Sequence, residues 1–298
     1  MHLEWTFDSV RLMKKDWKPT RLLKVSEDPD SIRLCEKDEI PHGTVYTTLS
    51  HCWGAVVLGT LLTTNIESLK KSIPLSSLVK TFQNAVEVTR QLKVGYIWID
   101  CLCIIQDSRD DWKFESMRME AVYGHSYCNI AATASADGRG GLFRERDPKM
   151  IEPCTVNMST SVKGQKTDYR ISDFSIWWKH FEASPLNVRA WVMQERLLSP
   201  RVLQFDRDQL LWECNELTAC ERHPGGMDSL MPKDSIVRRF RLPPKKVKGA
   251  RGVLDLWAPV LRIYSATRIT KDTDRLVALY GVAMKVQRLL NCDYQAGL

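Results

Sequence analysis

The chain has no run of about 18 consecutive apolar residues, the length needed to cross a bilayer as a helix, so no transmembrane helix is expected. Its start, Met1-His-Leu-Glu-Trp5, has no charged segment leading into an apolar one, so no signal peptide is expected. Regularly spaced cysteine pairs are also missing. The nine cysteines, Cys35, Cys52, Cys101, Cys103, Cys128, Cys154, Cys214, Cys220 and Cys292, are odd in number and sit mostly inside apolar runs. That predicts reduced, buried thiols in a cytoplasmic protein rather than a disulfide scaffold. Basic charge is present but not concentrated. Forty-three Lys and Arg against 36 Asp and Glu give a net charge of +7, spread along the chain apart from a cluster at Arg238–Arg251. A nucleic-acid reader needs a stripe, so none is expected. A diffuse positive balance fits an anionic ligand or loose polyanion contact.

Two metal-like patterns are incomplete. Cys101-Leu-Cys103 puts two thiols on one side of a strand, and Cys214, Cys220 and His223 are irregularly spaced. Zinc sites show two tight pairs, so no metal is expected. Asp137-Gly-Arg-Gly-Gly141 lacks the Lys-Ser/Thr ending of a phosphate-binding loop and reads as a turn.

What remains is an ordinary globular composition, 44% hydrophobic and 27% charged over 298 residues. Residues 1–44 read as an irregular lead-in. Tyr46-Thr-Thr-Leu-Ser50 reads as a strand entering a loop, and Leu78–Leu92 as a helix stopped by Gly95. Tyr96-Ile-Trp-Ile-Asp100 is apolar throughout, as central strands are. Asp107 or Ser108 caps a helix running to about Tyr123, and Cys128–Ser135 is a third strand. The order β, α, β, α, β predicts a parallel α/β sheet. Residues 144–184 are weakly patterned. A helix over Arg189–Leu197 precedes a hairpin of Arg201–Phe205 and Gln209–Cys214, a mobile loop over 222–252, and final helices at Trp257–Ser265 and Asp274–Leu290.

Three blocks together resemble the heterokaryon-incompatibility (HET) domain of filamentous fungi. They are Tyr46-Thr-Thr-Leu-Ser-His-Cys-Trp-Gly54; Thr81-Phe-Gln-Asn-Ala85 through Tyr96-Ile-Trp-Ile-Asp-Cys-Leu-Cys-Ile-Ile-Gln-Asp107 to Trp112, Glu115, Met119 and Tyr123; and Pro185-Leu-Asn-Val-Arg-Ala-Trp-Val-Met-Gln-Glu-Arg-Leu-Leu-Ser-Pro-Arg201. Gly140-Gly-Leu-Phe143 lies between the second and third. Cys101 departs from the smaller polar residue often found there. The resemblance implies a HET domain over 45–215, with its core at 45–136 and third block at 185–215, and a C-terminal helical extension over 216–298. Such proteins continue past Leu298, so the chain reads as a piece of a longer one. The first half is also similar to a Toll/interleukin-receptor (TIR) domain, through Tyr46–Gly54, Tyr96–Asp100 and Asp111-Trp-Lys-Phe-Glu115. The fold class implied is α/β. Its core is a parallel-sheet, TIR-like (flavodoxin-like) unit, and an added α+β region holds the hairpin and C-terminal helices. Some TIR domains cleave NAD between nicotinamide and ribose, so NAD is a candidate substrate, with no cofactor implied.

On this reading Glu115, sharing an apolar helix stripe with Trp112 and Met119, is the candidate catalytic carboxylate. It stabilises the positive charge that N-glycosidic cleavage builds on ribose. The alternative is a structural pairing with Arg189 or Arg196. Asp100 ends its strand where α/β sheets bind ligands; it holds a ribose hydroxyl, orients an arginine or caps the next loop. Ser50, His51, Cys52, Trp53 and Gly54 form a candidate substrate loop, with Trp53 stacking on a ring and Gly54 allowing close approach; the alternative is that Cys52 and Trp53 pack in the core. Arg189 and Arg196 either grip a pyrophosphate or lock the third block to the sheet through salt bridges. The implied role is a cell-death effector in non-self recognition that self-associates and meets other signalling proteins. A noncatalytic oligomerising module and a nucleotide sensor remain open beside it.

Overall fold

The computed structural model describes residues 17–26, 28–54, 59–152, 154–159, 166–171, 183–227, 237, 240 and 249–291. At its centre run four parallel strands: β3 (Thr47–Ser50), β5 (Tyr96–Trp98), β6 (Cys128–Ala131) and β9 (Arg201–Phe205), the last of which pairs with β6. In space they stand β5-β3-β6-β9, which is 2-1-3-4 in chain order. That is the order of flavodoxin-like sheets, and their ligand crevice lies where strand order reverses, at the carboxyl ends of the first and third strands. Here those ends are Ser50 and Ala131.

Antiparallel strands extend both flanks. β1 (Arg21–Lys24) pairs with β5, and then β2 (Ser31–Glu36), with α1 (Ile66–Lys71) against it, and β4 (Ile73–Pro74) follow outward. On the other side β10 (Leu210–Cys214) and β11 (Thr218–Cys220) follow β9. The sheet therefore has nine strands among the described residues. This corrects the irregular lead-in: the alternating Ser31-Ile-Arg-Leu-Cys-Glu36 buries Ile32, Leu34 and Cys35. The predicted hairpin is present, but it completes the central sheet rather than standing apart from it. Within the weakly patterned region, β7 (Cys154–Ser159) and β8 (Lys166–Ile171) form a separate two-stranded ribbon.

The two faces of the sheet follow from alternation along β3. Thr47 bonds Thr89 of α2 (Lys80–Gln91) at 2.7 Å, and His51 meets Phe82 of α2 edge-on at 4.9 Å. Tyr46 turns the other way and donates to Val122 O at 2.6 Å, in α5 (Met119–Gly124). α6 (Ala190–Leu198) packs with α5 on that second face. α2 ends at Leu92, before Gly95, because Lys93 takes a left-handed conformation, φ +57°.

Two further expectations need correcting. Asp100 opens a helical turn, α3 (Asp100–Cys103), so Cys101 and Cys103 do not share a strand face. The single helix expected up to Tyr123 is broken: α4 (Arg109–Ser116), capped by Ser108, ends at Met117, and α5 starts anew. The two C-terminal helices are α7 (Gly249–Ser265), which begins eight residues earlier than expected, and α8 (Val277–Leu290). The basic cluster and the 222–252 loop lie largely outside the described residues. Among the described residues seven cysteines are free thiols, six of them buried. No described helix is long and apolar enough to cross a membrane.

α6 is held from behind by α8 at Gly281. A Cβ there would stand 3.0 Å from Gln194 Oε1 and 3.1 Å from both Glu120 Cβ and Leu198 Cδ1. Gly281→Val should therefore overpack this junction and cost about 1–3 kcal/mol, read as a lowered urea midpoint, with Gly281→Ala losing less.

Candidate functional site

The crevice end of the sheet collects a buried polar network. Asn129 on β6 lies opposite Thr48 on β3, and Thr48 Oγ1 donates to Asn129 Oδ1 at 3.0 Å. Asn129 Nδ2 donates to Ser50 Oγ at 2.9 Å, and the serine hydroxyl reaches both Asn129 Oδ1, at 3.2 Å, and Glu195 of α6. The Tyr123 hydroxyl on α5 also bonds Glu195. Thr48, Ser50, Tyr123 and Asn129 are at most 1% exposed, and Glu195 is 8% exposed. Burial, with the negative charge of Asp100 adding to it, pushes the Glu195 carboxyl up to about 7, against the Ser50 and Tyr123 bonds and the positive charge of Arg189.

Asp100 stands at the lip. Its Oδ2 accepts from Trp53 Nε1 at 2.9 Å and its Oδ1 from Cys101 N at 2.7 Å. The His51 ring lies 3.7 Å away and parallel to Trp53. Among the described residues neither buried His51 nitrogen has a hydrogen-bond partner, and burial lowers the affinity of the imidazole for a proton, so it is neutral at pH 7. Arg189, at the N-cap of α6, donates to His51 O at 2.9 Å and touches Cys52. The backbone turns away at Gly54, φ +62°, where a Cβ would meet Asp137 Cβ at 2.4 Å. This glycine serves the packing of two loops.

The ligand atoms of His51, Asp100 and Cys101 lie within 4.8 Å of one another, the spacing of a small cation site. Burial holds the Cys101 thiol well above its ordinary range, so the thiolate that a metal needs is disfavoured.

The family model described as Heterokaryon incompatibility protein (HET) matches residues 46–195, half of the 298 residues. The chain belongs to the HET family. Its function accordingly lies in heterokaryon incompatibility, a response tied to cell death. Comparison with curated proteins and with solved structures gave no match. The matched span of the HET domain opens on Tyr46, just before β3, and closes on Glu195.

Of the residues singled out in the sequence, the HET fold brings Ser50, His51, Cys52, Trp53, Asp100 and Arg189 together. It does not bring Glu115 to them. Glu115 is buried elsewhere, where Thr20 bonds it and Arg21, Asp111 and Arg118 set its charge environment. Arg21 is itself clamped by Asp111 and by Cys103 O at 2.7 Å. Neither Arg189 nor Arg196 pairs with Glu115. Arg196 instead grips Glu213 of β10 with two bonds of 2.7 Å, and Gln204 bonds the same carboxylate. Trp112 meets Trp191 of α6 edge-on at 6.3 Å, which joins α4 to α6. Glu195, Tyr123 and Asn129 were missed as site residues. The signal was available for Glu195, since a Gln-Glu pair inside the apolar Ala190-Trp-Val-Met-Gln-Glu-Arg-Leu-Leu198 is as costly as Glu115 on its stripe.

Two outcomes follow. Arg196→Met strands the buried Glu213 charge and should cost about 3–5 kcal/mol, whereas Arg196→Met with Glu213→Leu should recover most of it in a urea double-mutant cycle. Because Glu195 holds its proton more tightly folded than unfolded, its protonation stabilises the fold fully below pH 4.5 and is lost as pH rises towards about 7. Melting temperatures should therefore fall across that window, and fall less in Glu195→Gln.

Proposed function

We propose that this HET domain hydrolyses NAD or a related nucleotide at the N-glycosidic bond, with Glu195 and Asp100 as its two carboxyl groups. The observation that carries the reading is Glu195. It is a buried carboxyl, poised near neutrality, at the one place where a sheet of this strand order forms a ligand crevice. The chemistry suits it. Nicotinamide is bound to ribose as a cation and leaves neutral when the C1′–N bond breaks and the electron pair goes to the ring nitrogen. No acid is needed for departure. What is needed is negative charge beside the cationic ribose, which Asp100 supplies at the lip. A base must also take a proton from the water that attacks C1′, and a carboxyl near pH 7 is matched to that task. Trp53 offers a ring for stacking, and Arg189 a guanidinium for phosphate. The similarity to a TIR domain supports the same substrate class, and the strand order is compatible with it. Self-association and protein partners belong to this proposal as expectations of the family role.

A second reading has an observation of its own. Ser50 and Glu195 are nearly closed to solvent, as suits a noncatalytic module that acts through partners.

Nicotinamide release from NAD decides between them. Wild type should release it at a rate that rises from pH 6 to 8 as Glu195 ionises. Glu195→Gln and Asp100→Asn should each lose at least about a hundredfold, while Glu115→Gln keeps most of the rate. Equal rates in wild type and Glu195→Gln, with cell killing intact in both, would leave the noncatalytic reading standing.

A further inference from the structure

A cleft of about 410 Å³ opens on the α2 side of the sheet, between α2, the outer end of β9 and the 142–146 segment. It is separate from the Glu195 crevice. Its size falls in the range of small-molecule sites, roughly 300–1,000 Å³. The wall is mostly apolar, with Val88, Leu92, Leu142, Phe143, Leu203 and Phe205. Phe143 is 46% exposed and meets Phe205 edge-on at 5.9 Å, so an aromatic surface is already assembled and still open.

Three charged residues line the cleft, and they are not equivalent. Arg146 is neutralised by Glu221, which takes it with both oxygens. Asp206 is 5% exposed and is not free. Arg144 differs from both. Among the described residues its one bond is from Nη2 to the neutral Ser135 Oγ at 2.8 Å, and its Nε is buried with no partner. A half-buried guanidinium with no carboxylate against it is a cation kept for something else, because its fork favours two parallel bonds to one anion. Gln91 adds an amide at the same wall.

We propose that this cleft binds a small amphiphilic carboxylate. Its apolar body would lie against Leu142, Phe143 and Phe205, and its carboxylate against Arg144. Nothing in the hydrolysis proposed above requires it. The two sites do share a loop, since Asp137 at one end of the 137–146 segment packs against Gly54 while the other end lines the cleft.

The probe is 2-naphthoate, titrated calorimetrically into the intact protein beside the neutral 2-naphthalenemethanol. The carboxylate should bind about tenfold or more tightly than the alcohol. Arg144→Gln should erase that difference, Arg144→Lys should retain part of it, and Leu203→Trp, which fills the cleft, should abolish both. Should Arg144→Gln fail to fold, amide shifts in wild type carry the test. Naphthoate should perturb Val88, Leu142–Arg144 and Phe205. No binding, equal affinity for the two probes in wild type, or shifts clustered elsewhere would each overturn the proposal.

Discussion

The docking of one helix, α6, with a carboxyl turned inward is the constraint on which the rest of this HET domain depends. A buried glutamate is costly unless its oxygens are bonded. Glu195 is placed where Ser50 from β3 and Tyr123 from α5 both reach it, and where Arg189, at the start of its own helix, supplies positive charge. Each of those groups is fixed by something else. Ser50 is oriented by Asn129, which is itself held by Thr48 across the β3–β6 pairing. Arg189 is anchored on His51 O. At the other end of α6, Arg196 is tied to Glu213 and, through Gln204, to Thr133 at the end of β6. The helix is thus pinned to the sheet by two polar chains, with Gly281 letting α8 close over its back.

Two buried glutamates compete for a functional role, and their neighbours separate them. Both are held above the usual carboxyl range by burial. Around Glu115, however, the cation Arg21 already has Asp111 as its partner and Cys103 O besides. That cluster joins β1, α3 and α4, and among the described residues Glu115 Oε1 is buried in it without a hydrogen-bond partner. Around Glu195 the second acid, Asp100, is 28% exposed at its side chain and adds negative charge rather than cancelling it. Glu195 thus stands between the negative charge of Asp100 and the positive charge of Arg189, with the lip open on the Asp100 side.

The sequence was most legible where one period dominates. The apolar run Tyr96–Asp100 and the helical spacing of Phe82, Ala85, Val86 and Thr89 placed β5 and α2 closely, because central strands are buried on both faces and α2 on one. It was least legible where long-range pairing decides. Arg21–Lys24 is a four-residue strand carrying two charges, and only its neighbours β2 and β5 make it one. The continuous apolar stripe from Trp112 to Tyr123 hid a break at Met117, since the stripe follows what the side chains touch and not whether the backbone continues. For the site, the lining residues of β3 and Asp100 were visible as polar groups at a strand end. Glu195 was masked by its neighbours in sequence. Arg189 and Arg196, two cations on one helix face, drew both readings of the third block, and the carboxyl between them drew none.

The loop after β6 shows how packing at one site can bear on another. Gly141, at φ +67°, lets the chain fold back so that Thr81 and Asn84 of α2 accept the amides of Gly141 and Leu142. Those bonds fix the start of the cleft wall to the same helix that carries Phe82 beneath His51. Upstream in the same loop, Asp137 presses on Gly54, and Arg139 holds Asp137 in place. A body wedged between α2 and Phe143 would thus push on the segment whose other end packs on Gly54. Packed interiors transmit such strain because they contain few voids to absorb it. Since Trp53 holds Asp100 through its indole N–H, the group most exposed to any such shift is the carboxylate at the lip, and buried Glu195 would feel it through the charge that Asp100 presents.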